Sequence, residues 1–73
     1  MHPYLLSLCA EYVQLVDAMR HGRYSDTELR ELDSQRQTTH NQLLDVTRLS
    51  PRDDMYRYAK AVLLAAQAEG RDA

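Results

Sequence analysis

The chain has no tryptophan and no phenylalanine, one cysteine, two glycines and two prolines in 73 residues. Each shortage excludes something. A lone Cys9 cannot close an internal disulfide, so a domain this small, which buries only about 60% of its unfolded surface, must find its stability in packing or association. Cys9 and the histidines His2, His21 and His40 are scattered along the chain, whereas zinc sites want three or four such ligands at close spacing. Scarce glycine and proline, with 27% charged residues, describe a regular helical chain rather than a disordered one. They also leave no glycine-rich loop to cradle a phosphate.

Two further absences concern partners. Nine basic residues against eleven acidic ones give a net charge of −2, and nucleic-acid binding calls for a basic face that displaces counterions from phosphates. The apolar run Val62 to Ala66 is far below the ~20 residues that span a bilayer. No charged segment followed by an apolar one opens the chain, so a cytoplasmic protein without a membrane partner is expected. No catalytic residue, metal or cofactor is expected either.

What is present reads as one helical domain over residues 1–73. Pro3 suits a first helical position, because its φ is preset and its missing N–H would have no partner there. The first helix is expected over 3–21, with Gly22 as a left-handed cap. Leu5, Cys9, Tyr12, Val16 and Met19 alternate spacings of four and three, and Leu6, Leu8, Val13 and Leu15 widen this apolar face to about half the circumference. Such a face suits contact with two other helices. Ser25-Asp26-Thr27-Glu28 is a capping box, and nothing breaks the helix after it before Ser50-Pro51, which predicts a second helix over 26–49. Ser50 as cap, Pro51 at the first position and Asp53 at the third predict a third helix over 51–69. Its stripe is Met55, Ala59, Val62 and Ala66, broadened by Tyr56 and Leu63, with Gly70 at its end and residues 70–73 frayed. Tight connections then give an up-down-up three-helix bundle, alone or as a homodimer. The alternative is a helical hairpin whose third helix runs outward to complete a partner.

The second helix carries an interruption. Leu29, Leu32, Leu43 and Val46 keep helical spacing, but Arg36 and Thr39 occupy the steps between them. With the first two helices antiparallel, Tyr12 lies opposite Arg36 and Cys9 opposite Thr39. His40 follows Arg36 by one turn, and Asp33 precedes it as counter-charge. Leucines at 36 and 39 would each gain ~1.5–3 kcal/mol by burial, so this polar layer costs stability. On a structural reading Arg36 lies along the core and stacks on Tyr12, or the layer fixes register and oligomer state. On a functional reading Arg36, His40 and Asn41 form a recognition surface. Tyr58 and Leu64 fall away from the main stripe of the third helix and are the other candidates for an exposed contact patch. His40 lacks a nucleophile or ligand set at suitable spacing, and Cys9 reads as a small buried hydrophobe. Arg48, Arg52, Arg57 and Lys60 are interspersed with Asp45, Asp53 and Asp54, a mixed solvated surface rather than a phosphate-binding one.

The segment Leu32-Asp33-Ser34-Gln35-Arg36-Gln37-Thr38-Thr39-His40-Asn41 resembles the Arg-xxx-His-Asn stretch of small helical proteins carried by bacterial mobile elements. That resemblance covers part of one helix, assigns no family, and implies an accessory or regulatory role without specific chemistry. Eight of the nine basic residues are arginine, a composition that suits a GC-rich bacterial or phage genome. The expected function is protein–protein interaction in a regulatory or accessory role. One alternative is a phage-encoded, anti-CRISPR-like inhibitor of a host defence nucleoprotein complex, since small acidic proteins can block basic channels. A nucleic-acid-binding regulator is the other.

Overall fold

The computed structural model describes residues 2–71, with the side chain of Arg71 excepted. Three helices make up the fold: α1 over Pro3–His21, α2 over Asp26–Thr47 and α3 over Met55–Arg71. α1 packs along both α2 and α3, which meet each other only marginally. The result is a small all-α three-helix bundle with α1 as the shared element.

The reason α1 is shared lies in its sequence. Leu8, Cys9, Tyr12, Val13, Leu15 and Val16 are all buried, and at ~100° per residue they cover about 160° of the helix. Ser7, Glu11 and Gln14 on the opposite side are exposed. α2 and α3 each supply only a narrow strip to this core, Leu43 from α2 and Met55 and Ala59 from α3. Val62 and Leu63 pack against its edge, and Ala66 is half-buried on the same face, so the stripe of α3 lies where the periodicity puts it. α3 is therefore docked on α1 rather than running outward.

Local signals hold at two of the helix starts. His2 Nδ1 accepts from the Tyr4 N–H at 3.2 Å ahead of Pro3. The capping box is complete: Ser25 Oγ accepts from the Glu28 N–H at 3.2 Å while Glu28 Oε1 accepts from the Ser25 N–H at 3.3 Å.

Elsewhere the punctuation differs from expectation. Gly22 is extended, at φ −85° and ψ 160°, and is no left-handed cap. Its need for glycine is steric, because a Cβ there would collide with the ring of Tyr24 and come within 2.7 Å of the Ala18 carbonyl oxygen. The left-handed cap belongs instead to Arg48, at φ 61°, and α2 stops at Thr47, two residues early. Ser50 does cap, but only one turn: its Oγ accepts from the Arg52 N–H at 3.2 Å and Asp53 Oδ2 accepts from the Ser50 N–H at 2.8 Å. A second start signal follows at once, Asp54 Oδ1 accepting from the Arg57 N–H at 3.1 Å. α3 therefore begins at Met55, four residues later than expected, and the connection is residues 48–54 rather than Ser50 alone. Docking of Met55 and Ala59 on α1 selects Asp54 over Ser50 as the start, since both have the required chemistry. Gly70 lies inside α3 and does not end it. The fraying expected at 70–73 falls in part on residues 72–73, which lie outside the described residues. Val46 is 47% exposed rather than part of the stripe.

The radius of gyration is 13.2 Å, with extents of 43 × 25 × 18 Å, against ~11 Å for a compact domain of this length. α2 explains the elongation. Its 22 residues span ~33 Å at ~1.5 Å per residue, yet its only buried residues are Thr39 and Leu43. No helix among the described residues is long and apolar enough to cross a membrane.

Candidate interaction surface on the second helix

Three side chains converge where α2 crosses the middle of α1. Tyr12 is 6% exposed, and the His40 ring lies against it with centroids 5.9 Å apart and planes tilted by 39°. Arg36 reaches the same place from one turn earlier. Its Nε and Nη2 donate to Asp33 Oδ1 at 3.0 and 2.8 Å, with the Arg36 side chain 31% and that of Asp33 50% exposed. The carboxylate of Asp33 holds the guanidinium above its already high ordinary pKa. Partial desolvation opposes this, and the neighbouring Tyr12 hydroxyl reinforces it.

The polar layer thus exists, but it is graded by depth. Cys9 and Thr39 form its inner edge at 0% and 2% exposure. The Thr39 hydroxyl is satisfied within its own helix, donating to the Gln35 carbonyl at 3.0 Å. Burial pushes the Cys9 thiol above its ordinary pKa, which keeps it protonated and a poor nucleophile. Arg36, His40 and Asp33 form the outer edge, half in water. Among the described residues no buried side-chain nitrogen or oxygen lacks a partner, so the layer has solved its hydrogen bonding at the helix level.

The other candidates fall elsewhere. Asn41 is exposed and lies about 140° around α2 from Arg36 at ~100° per residue. Tyr58 is half-buried against the core rather than free. Leu64 is 64% exposed, about 120° around α3 from Tyr58 at ~100° per residue. The two do not form one patch. Arg36 and His40 are brought together, while Asn41, Tyr58 and Leu64 are separate.

Two arrangements had no expectation attached. The Tyr56 hydroxyl donates to Asp17 Oδ1 at 2.8 Å, and the Arg20 guanidinium sits 4.7 Å from the centre of the Tyr56 ring. Together they tie the first turn of α3 to the C-terminal half of α1. Nothing in the sequence pairs Asp17 with Tyr56, because their meeting depends on where α3 docks. The second is a shallow groove lined by Tyr24, Glu28, Glu31, Leu32 and Gln35. Here a signal was present in part: Glu28 and Leu32, and Glu31 and Gln35, are four residues apart, so these four share one side of α2, and Tyr24 joins them from the connection ahead of the helix.

Among the described residues no three His, Cys, Asp or Glu side chains are placed to hold one metal ion. No hydroxyl or thiol there is hydrogen-bonded to His40. No protein-family model matches this chain, no curated protein matches it, and no solved structure matches it.

Proposed function

We propose that this chain is a small non-enzymatic helical protein that acts by protein–protein interaction, in a regulatory or accessory role of bacterial or phage kind. The observation that carries this reading is the uncovered half of α2. From Asp26 to Thr38 the helix buries no side chain, and its apolar residues Leu29 and Leu32 remain half-exposed. A folded, capped helix that leaves its apolar positions part-exposed is a preformed face for another protein. Arg36, anchored by Asp33, and His40 border that face.

Several features support a binding rather than a catalytic role. His40, the side chain best placed to move protons near neutral pH, rests on an aromatic ring and has no nucleophile in reach. The one thiol is buried and held protonated. The grooves on α2 are shallow and open, unlike the enclosed pockets that orient small substrates.

A second reading, a phage-encoded inhibitor of a host defence nucleoprotein complex, draws support from one observation. Glu28 and Glu31 share a groove, which suits a basic surface on such a complex.

A photo-cross-linking side chain placed at position 32, with a matched one at exposed Ser7 on the far side of α1, tests the proposal in cells. A discrete protein adduct from position 32 alone is expected. Equal labelling from both positions, or none from either, removes the reading. Recovery of a subunit of a nucleoprotein complex whose nucleic-acid binding then weakens selects the inhibitor.

A further inference from the structure

The groove formed by Tyr24, Glu28, Glu31, Leu32 and Gln35 lies on the first turns of α2, and its walls have different characters. Tyr24 offers an aromatic ring, 38% exposed, whose position is built in. The ring lies where a Cβ on residue 22 would stand, so Gly22 is what lets it fold back. Leu32 supplies a half-buried aliphatic floor. Glu28 and Glu31 supply two carboxylates. Oε1 of Glu28 accepts from Ser25, with no hydrogen bond at Oε2.

Among the described residues neither glutamate has a cationic partner. The only ion pair among the described residues is Arg36 with Asp33. The sequence keeps it so: the residues three and four away from Glu28 are Tyr24, Ser25, Glu31 and Leu32, and those around Glu31 are Thr27, Glu28, Ser34 and Gln35. No basic side chain stands one turn from either acid, and the two acids stand one turn from each other, where like charges repel. None of the basic side chains among the described residues pairs with either acid.

The lining selects its occupant. An anion, whether phosphate, nucleic acid or acidic lipid, is repelled. A neutral apolar side chain would strip water from two carboxylates and return nothing. An arginine satisfies every wall: its guanidinium stacks on the Tyr24 ring and donates to the carboxylates, and its methylenes lie on Leu32. We infer that this groove receives an arginine side chain from a basic segment of a protein partner. The inference rests on the reading of the protein as an interaction module and states the chemistry of what it grips.

The full chain, labelled with nitrogen-15, is titrated at low salt with a hexa-arginine peptide and with a citrulline peptide of equal length, which keeps the shape and loses the charge. Saturable amide shifts confined to Tyr24 through Gln35 are expected with arginine and not with citrulline. Glu31→Gln and Tyr24→Leu should each weaken binding about fivefold, the scale of one exposed charge-assisted contact. Glu11→Gln, on an exposed carboxylate of α1, should leave the binding unchanged. Shifts spread over every acidic site, or equal weakening by Glu11→Gln, overturn the inference in favour of unspecific charge attraction. The same amides shifting with protein concentration before any peptide is added overturn it in favour of a second copy. If position 32 still cross-links to a partner while the arginine peptide moves nothing, the inference falls and the interaction reading stands. A silent cross-linker beside a working arginine site does the reverse.

Discussion

Replacing Thr39 by valine should make this protein more stable, although it deletes a hydrogen bond in the core. Thr39 is 2% exposed, and its hydroxyl donates to the Gln35 carbonyl at 3.0 Å, an acceptor that the helix ladder already uses. Losing that bond orphans nothing. Valine keeps the β-branch, so helix propensity barely changes, and it puts a methyl where the hydroxyl was. Burying one more methyl group contributes about 0.8 kcal/mol, against at most a few tenths for the lost local bond. The net expectation is about +0.5 kcal/mol, or roughly +0.5 M in the urea midpoint at a slope near 1 kcal/mol per molar for a chain this small. Thr38 provides the control. It makes the same bond one residue earlier, to the Ser34 carbonyl at 3.0 Å, but is exposed, so Thr38→Val should shift the midpoint little. Urea unfolding of both variants by circular dichroism, with unchanged slopes, reads out the difference. If Thr39→Val is instead less stable than Thr38→Val, the hydroxyl has a role that its geometry within α2 does not account for, and the layer is a register device after all.

Leu43→Ala should cost about 2–5 kcal/mol, because Leu43 is fully buried, and that is a large part of the ~4–11 kcal/mol available to a domain of this length; urea or thermal unfolding measures it. Tyr56→Phe keeps the ring and its contact with Arg20 but loses the bond to Asp17, and should cost about 1 kcal/mol with faster amide exchange in the first turn of α3. Because burial raises the Cys9 thiol pKa, the unfolded chain ionises first as pH rises. Stability should then be intact below the ordinary thiol value of ~8.5 and fall above it, a decline that Cys9→Ala abolishes in urea midpoints taken across that range. Arg36→Leu removes a half-exposed ion pair of small worth and should leave the solution mass by light scattering unchanged; a change of mass would make Arg36 a determinant of assembly.

Much of the bundle was legible in the sequence, because its signals are short-range. A capping serine with glutamate three residues on fixes the start of α2 whatever surrounds it, and the apolar arc of α1 is wide enough to require two neighbours. The polar layer was legible for the same reason, as periodicity alone sets Arg36, Thr39 and His40 on one side of α2. Tertiary structure decided between signals of equal local merit. Ser50 and Asp54 can both open a helix, and only the fit of Met55 and Ala59 against α1 makes Asp54 the start of α3. Gly22 was recognisable as a special position, but its reason is the Tyr24 ring over it rather than its own φ, a contact that helix-cap chemistry does not predict. How deep each polar residue sits, with Thr39 inside and Arg36 at the rim, follows from the angle at which α2 meets α1. Local chemistry is blind to that angle; burial of apolar surface sets it, summed over the whole chain.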